Sequence, residues 1–171
     1  MGCRAAVQLA NQLQERKEPE LSDFVVGIIC LAYPLHLQDE KEKLRDGPLL
    51  TMKMPAFFIS GTEDEMAEKK IFEEVLKKMP GSPVIHWLEG VGHSHTSRKA
   101  EQLNVEKSVC EAVKSWLTKL VRDWARPAAT LATVLSEERI QIRHNCVILG
   151  IYVGGGGDSV ISVVLLVFVV L

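Results

Sequence analysis

Short apolar runs alternate with amphipathic segments over the first 124 residues. The run at 24–32 is nearly continuously apolar and rich in β-branched residues, which is typical of a parallel strand buried on both faces. The run at 52–60 predicts a second buried strand, and 84–88 is a third short apolar run. In the segments 1–14, 65–79 and 105–124, apolar residues recur at helical spacing. This alternation predicts an α/β fold with about three parallel strands, right-handed crossovers and covering helices.

Each predicted helix has an apolar face that we expect to pack on the sheet. In the first helix this face is formed by Ala6, Leu9, Ala10 and Leu13. In the other two helices it is formed by Ile71, Phe72, Val75, Leu76 and Met79, and by Val109, Val113, Trp116, Leu117, Leu120 and Val121. The segment 39–46 mixes both charges around one leucine, which predicts an exposed helix or loop that leads back to the sheet.

Two of the predicted strands end in glycine-containing loops that carry titratable side chains. The strand at 52–60 is followed by Gly61-Thr-Glu-Asp64, and the strand at 84–88 is followed by Glu89-Gly-Val-Gly-His93. Site residues of open α/β sheets lie at these carboxyl ends. An acid after one strand and a histidine after the next match the last two members of the Ser, Asp, His triad of α/β-hydrolases. We therefore predict that Asp64 orients the histidine and that His93 is a general base.

Plainer interpretations of the same residues stay open at this point. Asp64 could be a turn or helix-cap acid at the start of the following helix, and Glu63 or Glu65 could be confused with it. His93 could be a surface histidine in a glycine loop. His95 is a neighbour to which the pattern gives no role.

Two further histidines are predicted to have no catalytic role. His36 follows Pro34 in the loop after the first strand, where a lone histidine is usually a surface residue. His86 lies within the third predicted strand, where we expect it to be packed or exposed at the sheet edge.

Composition narrows the class of protein. A chain of 171 residues with 47% hydrophobic residues is long enough for one domain with a real core. The formal net charge of −2 gives no basic surface for nucleic acid. The four cysteines are Cys3, Cys30, Cys110 and Cys146, and their spacing matches no zinc site. We predict reduced thiols in a cytosolic or nuclear protein, no secretory signal, no metal and no cofactor.

Four motifs in the same order carry a family resemblance. They are Ile28-Ile-Cys-Leu-Ala-Tyr-Pro-Leu-His36, Lys43-Leu-Arg-Asp46, Ser60-Gly-Thr-Glu-Asp-Glu-Met66 and Ile85-His-Trp-Leu-Glu89. Together they resemble the hydrolase-like domain of the family of testis-expressed protein 30 and subunit 3 of the NSL histone-acetyltransferase complex, over about residues 1–124. The resemblance implies a truncated α/β-hydrolase fold that lacks its amino-terminal half.

The resemblance also implies a place for the nucleophile. The family's nucleophile elbow resembles Gly-Arg-Ser-Met-Gly, and Met1-Gly-Cys-Arg-Ala-Ala6 matches only its second half. The serine would stand immediately before Met1. One oxyanion donor would be the nitrogen of Met1, which as a chain terminus is an amine, and the other donor belongs to the missing strands. We expect a protein of the serine-hydrolase class, with a small ester or acyl substrate, that is catalytically incomplete in this chain. The alternative is a non-catalytic module that binds protein partners, as a chromatin-complex subunit does.

The tail departs from the family. Arg126-Pro127 marks a break, so we predict a hydrolase-like domain over 1–125 and a non-family tail over 126–171. In the tail, 128–143 is predicted to be a helix, and the apolar runs 146–153 and 160–171 flank glycines and Asp158. Joined together, the two runs are long enough for a membrane tail anchor. The competing interpretation is an extra end that pairs as strands or stays disordered.

Overall fold

The protein is an α/β structure in which three parallel strands form the central sheet. The computed structural model describes residues 2–15, 25, 27–93, 99–124, 142–143, 146–153 and 161–167. The elements in chain order are α1 (Gly2–Glu15), β1 (Ile28–Leu31), α2 (Gly47–Thr51), β2 (Ala56–Gly61), α3 (Lys69–Leu76), β3 (Pro83–Leu88), α4 (Lys99–Trp124), β4 (Ile142–Arg143), β5 (Cys146–Val153) and β6 (Ile161–Val167). The first sheet has the order β1-β2-β3. The predicted fold class is confirmed.

Helices cover both faces of this sheet, and the alternation of side chains along the strands divides the core in two. On one face, Ile28, Cys30, Ala56 and Phe58 pack with α1, α2 and α3. On the other face, Ile29, Leu31, Phe57 and Ile59 pack with Trp116 and Leu117 of α4. Every residue of β1 and β2 is buried. This double burial explains why both strands are continuously apolar in the sequence.

The first two strands are shorter than their apolar runs. Pairing begins at Ile28 and Ala56, and the Ile28 amide donates to the carbonyl of Pro55 at 3.0 Å. Because Pro55 has no N–H group, it cannot extend the ladder. The five-residue helix α2, which contains Pro48 in its first turn, was not predicted because it is too short to show helical periodicity.

Helix α1 buries a slightly different face from the predicted one. Ala6, Ala10 and Leu13 are buried as expected, but Leu9 is 37% exposed. Cys3 and Val7 complete the buried stripe instead. Residues at helical positions 3, 7 and 10 share one face, and Leu9 lies at the margin of that face.

Helix α3 begins later than predicted. It starts at Lys69 rather than near Glu65, because the intervening residues form a turn. In that turn the Ala67 amide donates to the carbonyl of Asp64 at 3.3 Å, and the Met66 amide donates to the Asp64 side chain at 2.9 Å. Asp64 is therefore a turn acid and not a helix cap.

The prediction that His36 is a surface residue was wrong. His36 is fully buried, and its Nε2 accepts a hydrogen bond from the Glu68 amide at 3.3 Å. Because Nε2 accepts, Nδ1 carries the proton and donates to the Leu37 carbonyl at 2.9 Å. The ring thus joins the loop after β1 to the segment before α3.

We expect His36→Ala to lower the free energy of unfolding by about 2 kcal/mol, because it leaves a cavity and an unsatisfied buried amide. The matched control is His86→Ala. His86 is half-buried on β3 and shares one hydrogen bond with Ser108 at 3.1 Å, so its loss should cost about 1 kcal/mol or less. Urea unfolding measures the stability of both variants. Equal losses would contradict the role of His36 in joining the loop after β1 to the segment before α3.

The described part of the tail forms an antiparallel sheet. β4 pairs with β5, and β5 pairs with β6 from Val147 opposite Val167 to Val153 opposite Ile161. The two apolar runs therefore pair as strands, as the second interpretation predicted. The predicted helix over 128–143 lies outside the described residues except at its end, where Ile142–Arg143 is a strand. Among the described helices, none combines the length and the apolar character that crossing a membrane requires.

Candidate functional site

The loops after β2 and β3 are joined at the carboxyl edge of the central sheet. Gly61 and Leu88 are paired at the ends of the two strands. Beyond them, the Thr62 amide donates to the Leu88 carbonyl at 2.9 Å and the Glu63 amide donates to the Val91 carbonyl at 3.0 Å. The backbone contacts between the loops place the acid after β2 beside the histidine after β3.

Gly61 allows the two loops to approach this closely. A Cβ atom at position 61 would lie 1.7 Å from the Val91 carbonyl oxygen and 2.4 Å from the Val91 carbonyl carbon. Both atoms belong to the backbone of the loop that leads to His93. Only glycine fits here, because any side chain would force the loops apart.

The Asp64 carboxylate is fully buried and has several donors. Its two oxygens lie 3.0 and 3.1 Å from Nδ1 of His93. One oxygen also accepts from the Met66 amide at 2.9 Å, and the other accepts from the Ser60 hydroxyl at 3.2 Å. A buried carboxylate needs such partners, and here they fix its orientation toward the imidazole.

His93 presents one nitrogen to the acid and keeps the ring partly exposed. Since a carboxylate only accepts hydrogen bonds, Nδ1 carries a proton, and in the neutral ring Nε2 is then the basic nitrogen. The side chain is 29% exposed. The hydrogen bond to Asp64 raises the pKa of His93, partial burial opposes this, and the charges of Asp64 and Glu65 raise the pKa further. Protonation at Nε2 is thereby favoured.

Comparison with known protein families supports the fold. A family model described as an alpha/beta hydrolase domain matches residues 1–120. The chain belongs to the alpha/beta hydrolase family. No solved structure matches the chain. The matched region contains α1, the described central sheet and most of α4.

The other acids and histidines considered from the sequence have different surroundings where the structure describes them. Glu63 and Glu65 flank Asp64, but their side chains are exposed, and Glu65 acts on His93 only through its charge. His36 joins the loop after β1 to the segment before α3, and His86 shares a hydrogen bond with Ser108. His95 lies outside the described residues.

Ser60 is a contributor that the sequence analysis did not single out. It is fully buried at the end of β2 and donates to Asp64. A serine in an otherwise apolar buried strand needs a hydrogen-bond partner, and the acid that supplies it stands only four residues later in the sequence. This requirement could have identified Ser60 from the sequence as a partner of Asp64.

Metal binding has no counterpart in the described part of the chain. Over the described ranges, no three His, Cys, Asp or Glu side chains are grouped so that they could hold a metal ion. The chemistry that the site can perform is proton transfer at His93, supported by the charge of Asp64.

The contact between Asp64 and His93 should make stability depend on pH. Because the folded-state pKa of His93 is raised above its unfolded value, the contribution is fully present below the unfolded pKa of about 6.5 and is lost as pH rises through the folded pKa. We expect wild type to exceed His93→Gln in the free energy of unfolding by more at about pH 5.5 than at about pH 9. Urea unfolding at both pH values tests this, and a difference that widens with pH would contradict it.

Proposed function

We propose that Asp64 and His93 are the acid and base of a serine-hydrolase triad that acts on a small ester or acyl substrate. The observation that carries the proposal is the contact of both Asp64 oxygens with Nδ1 of a partly exposed imidazole. Family membership and the order of acid before histidine in the chain support the same assignment.

In this mechanism His93 Nε2 removes the proton from the serine hydroxyl as the hydroxyl attacks the acyl carbon. The imidazolium that forms is stabilised by Asp64, which itself stays ionised. His93 then returns the proton to the leaving group. The raised pKa of His93 favours the first proton transfer, and Ser60 and the Met66 amide hold the carboxylate in place throughout.

Under this proposal, the 171-residue chain does not supply the nucleophile of the triad. In the pattern that the chain resembles, the serine stands immediately before Met1, and one oxyanion donor is the amide of the following residue. Removal of the triad serine costs about a million-fold in turnover in a serine protease. We therefore propose that the 171-residue chain expressed alone does not hydrolyse esters.

The experiment is to sequence the transcript upstream of the Met1 codon and to express the longest in-frame product beside the 171-residue chain. We expect a Gly-x-Ser elbow in frame, and labelling of the longer product by a fluorophosphonate probe that His93→Ala abolishes. The 171-residue chain should remain unlabelled. A longer product with an elbow serine that reacts equally in wild type and His93→Ala would overturn the proposal.

The proposal also names the relatives of this chain within the alpha/beta hydrolase family. We propose that the chain is a relative of testis-expressed protein 30 and of the hydrolase-like subunit of the NSL complex, on the four motifs given above. A cytosolic or nuclear location stays a prediction.

A partner-binding role is the second candidate, and one observation favours it. In the described central sheet, β3 is an edge strand that carries the exposed residue Val84, and a free strand edge can accept a strand from another chain. Co-purification of protein partners with both the wild type and His93→Ala, without esterase activity in either, would favour this role. Loss of the partners in His93→Ala would oppose it.

A further inference from the structure

Two cysteines that are distant in the sequence meet where α1 packs on β1. Cys3 lies in the first turn of α1, and its thiol donates to the carbonyl of Leu31 at 2.9 Å. Cys30 is the residue before Leu31 in β1. The two side chains are 2% and 0% exposed and belong to one core cluster. Both are free thiols.

The surroundings give the two thiols different acidities. A hydrogen bond from Cys30 is the main cause that lowers the pKa of the Cys3 thiol, and burial opposes it. A cysteine at a helix amino terminus also gains thiolate character from the helix dipole. The interaction with Cys3 and complete burial raise the pKa of Cys30 well above its ordinary value. Cys3 is therefore the more acidic of the two thiols.

We propose that Cys3 and Cys30 form a peroxide-oxidisable dithiol that closes to a disulfide between α1 and β1. The Cys3 thiolate attacks hydrogen peroxide, an S–O bond forms, the O–O bond breaks, and hydroxide leaves. The Cys30 sulfur then attacks the Cys3 sulfenic acid, the S–S bond forms, and the oxygen leaves as water with the Cys30 proton. Two thiols and one peroxide thus give one disulfide and two waters. The proposal does not rest on the hydrolase assignment.

The position of Cys3 explains how a small oxidant reaches a buried thiol. Arg4 is half-buried and Ala5 is exposed, so Cys3 lies just below the surface, and a local opening of this turn would admit peroxide. The Cys3 thiol bonds to the carbonyl of the residue after Cys30, and both side chains belong to one buried cluster, so the disulfide would join side chains that are already neighbours. The disulfide would tie the first turn of α1 to the strand next to the one that leads to Asp64.

The test uses the full chain with Cys110→Ser and Cys146→Ser, so that only Cys3 and Cys30 remain. The folded protein is treated with hydrogen peroxide, then alkylated, digested with trypsin and examined by mass spectrometry. We expect intact protein that has lost two hydrogen atoms, and a disulfide-linked pair of the tryptic peptides 1–4 and 18–41. The same treatment in urea is the control, and the linked pair should form more slowly there.

Single substitutions in that background separate the attacking and resolving thiols. In Cys30→Ser, Cys3 should gain oxygen atoms because no second thiol resolves the sulfenic acid. In Cys3→Ser, Cys30 should stay reduced under the same treatment. The proposal is overturned if the folded protein gains oxygen without the link, if it stays reduced, if the link forms only in urea, or if Cys30 oxidises equally in Cys3→Ser.

Discussion

Gly61→Ala is expected to lower the free energy of unfolding by more than about 3 kcal/mol, since overpacking against rigid backbone has no inexpensive relief. The added methyl group would lie 1.7 Å from the Val91 carbonyl oxygen. Relief requires the loops after β2 and β3 to separate, which breaks the bond from the Glu63 amide to Val91. Urea unfolding measures the loss of stability. Chemical shifts of the His93 ring would report whether the contact with Asp64 is lost as well.

Gly47→Ala is the matched control for this substitution. Gly47 is the first residue of α2, and a Cβ atom there meets nothing within 4 Å. We expect no loss of stability, or a gain of up to about 1 kcal/mol from the lower entropy of the unfolded chain. Equal effects of the two substitutions would contradict the account of the loop approach at Gly61.

Asp64→Asn is expected to lower kcat by about ten-thousand-fold in an in-frame product that contains the elbow serine, as the same change does in a serine-protease triad. An amide in place of the carboxylate can donate to the imidazole and so favours the wrong tautomer of His93. The buried asparagine side chain would retain the shape of the site, so KM should change little. Hydrolysis of a p-nitrophenyl ester at saturating substrate measures the effect.

Glu65→Gln is the matched control for Asp64→Asn. Glu65 also carries a negative charge near His93, but it is exposed and makes no hydrogen bond to the ring in the described structure. A long-range surface charge is screened by solvent and salt, so we expect less than about a threefold change in kcat. A larger loss for Glu65→Gln than for Asp64→Asn would show that the orienting acid was assigned wrongly.

The closeness of Asp64 and His93 could be predicted because it depends only on which strands precede them. The ends of β2 and β3 lie at one edge of a parallel sheet, so an acid and a histidine in the following loops are neighbours whatever the details of packing. The apolar runs also predicted the three strands of the central sheet, because strands buried on both faces, as β1 and β2 are, consist almost wholly of apolar residues.

Contacts between distant parts of the chain could not be predicted. The burial of His36 depends on the Glu68 amide, which lies in a separate loop. Cys3 and Cys30 are widely spaced in the sequence but meet because α1 packs on β1. Helix α3 starts late because the Asp64 side chain accepts a hydrogen bond from the Met66 amide and so forms a turn. The spacing of apolar residues gives no sign of such a side-chain bond.

The most direct test of the central claim is an NMR titration of the His93 imidazole in the 171-residue chain. We predict a pKa above the ordinary histidine value of about 6.5, because the hydrogen bond and charge of Asp64 favour the imidazolium. In Asp64→Asn the pKa should fall, while in Glu65→Gln it should fall less. A wild-type pKa at or below the ordinary value, unchanged by Asp64→Asn, would contradict the pairing of Asp64 with His93.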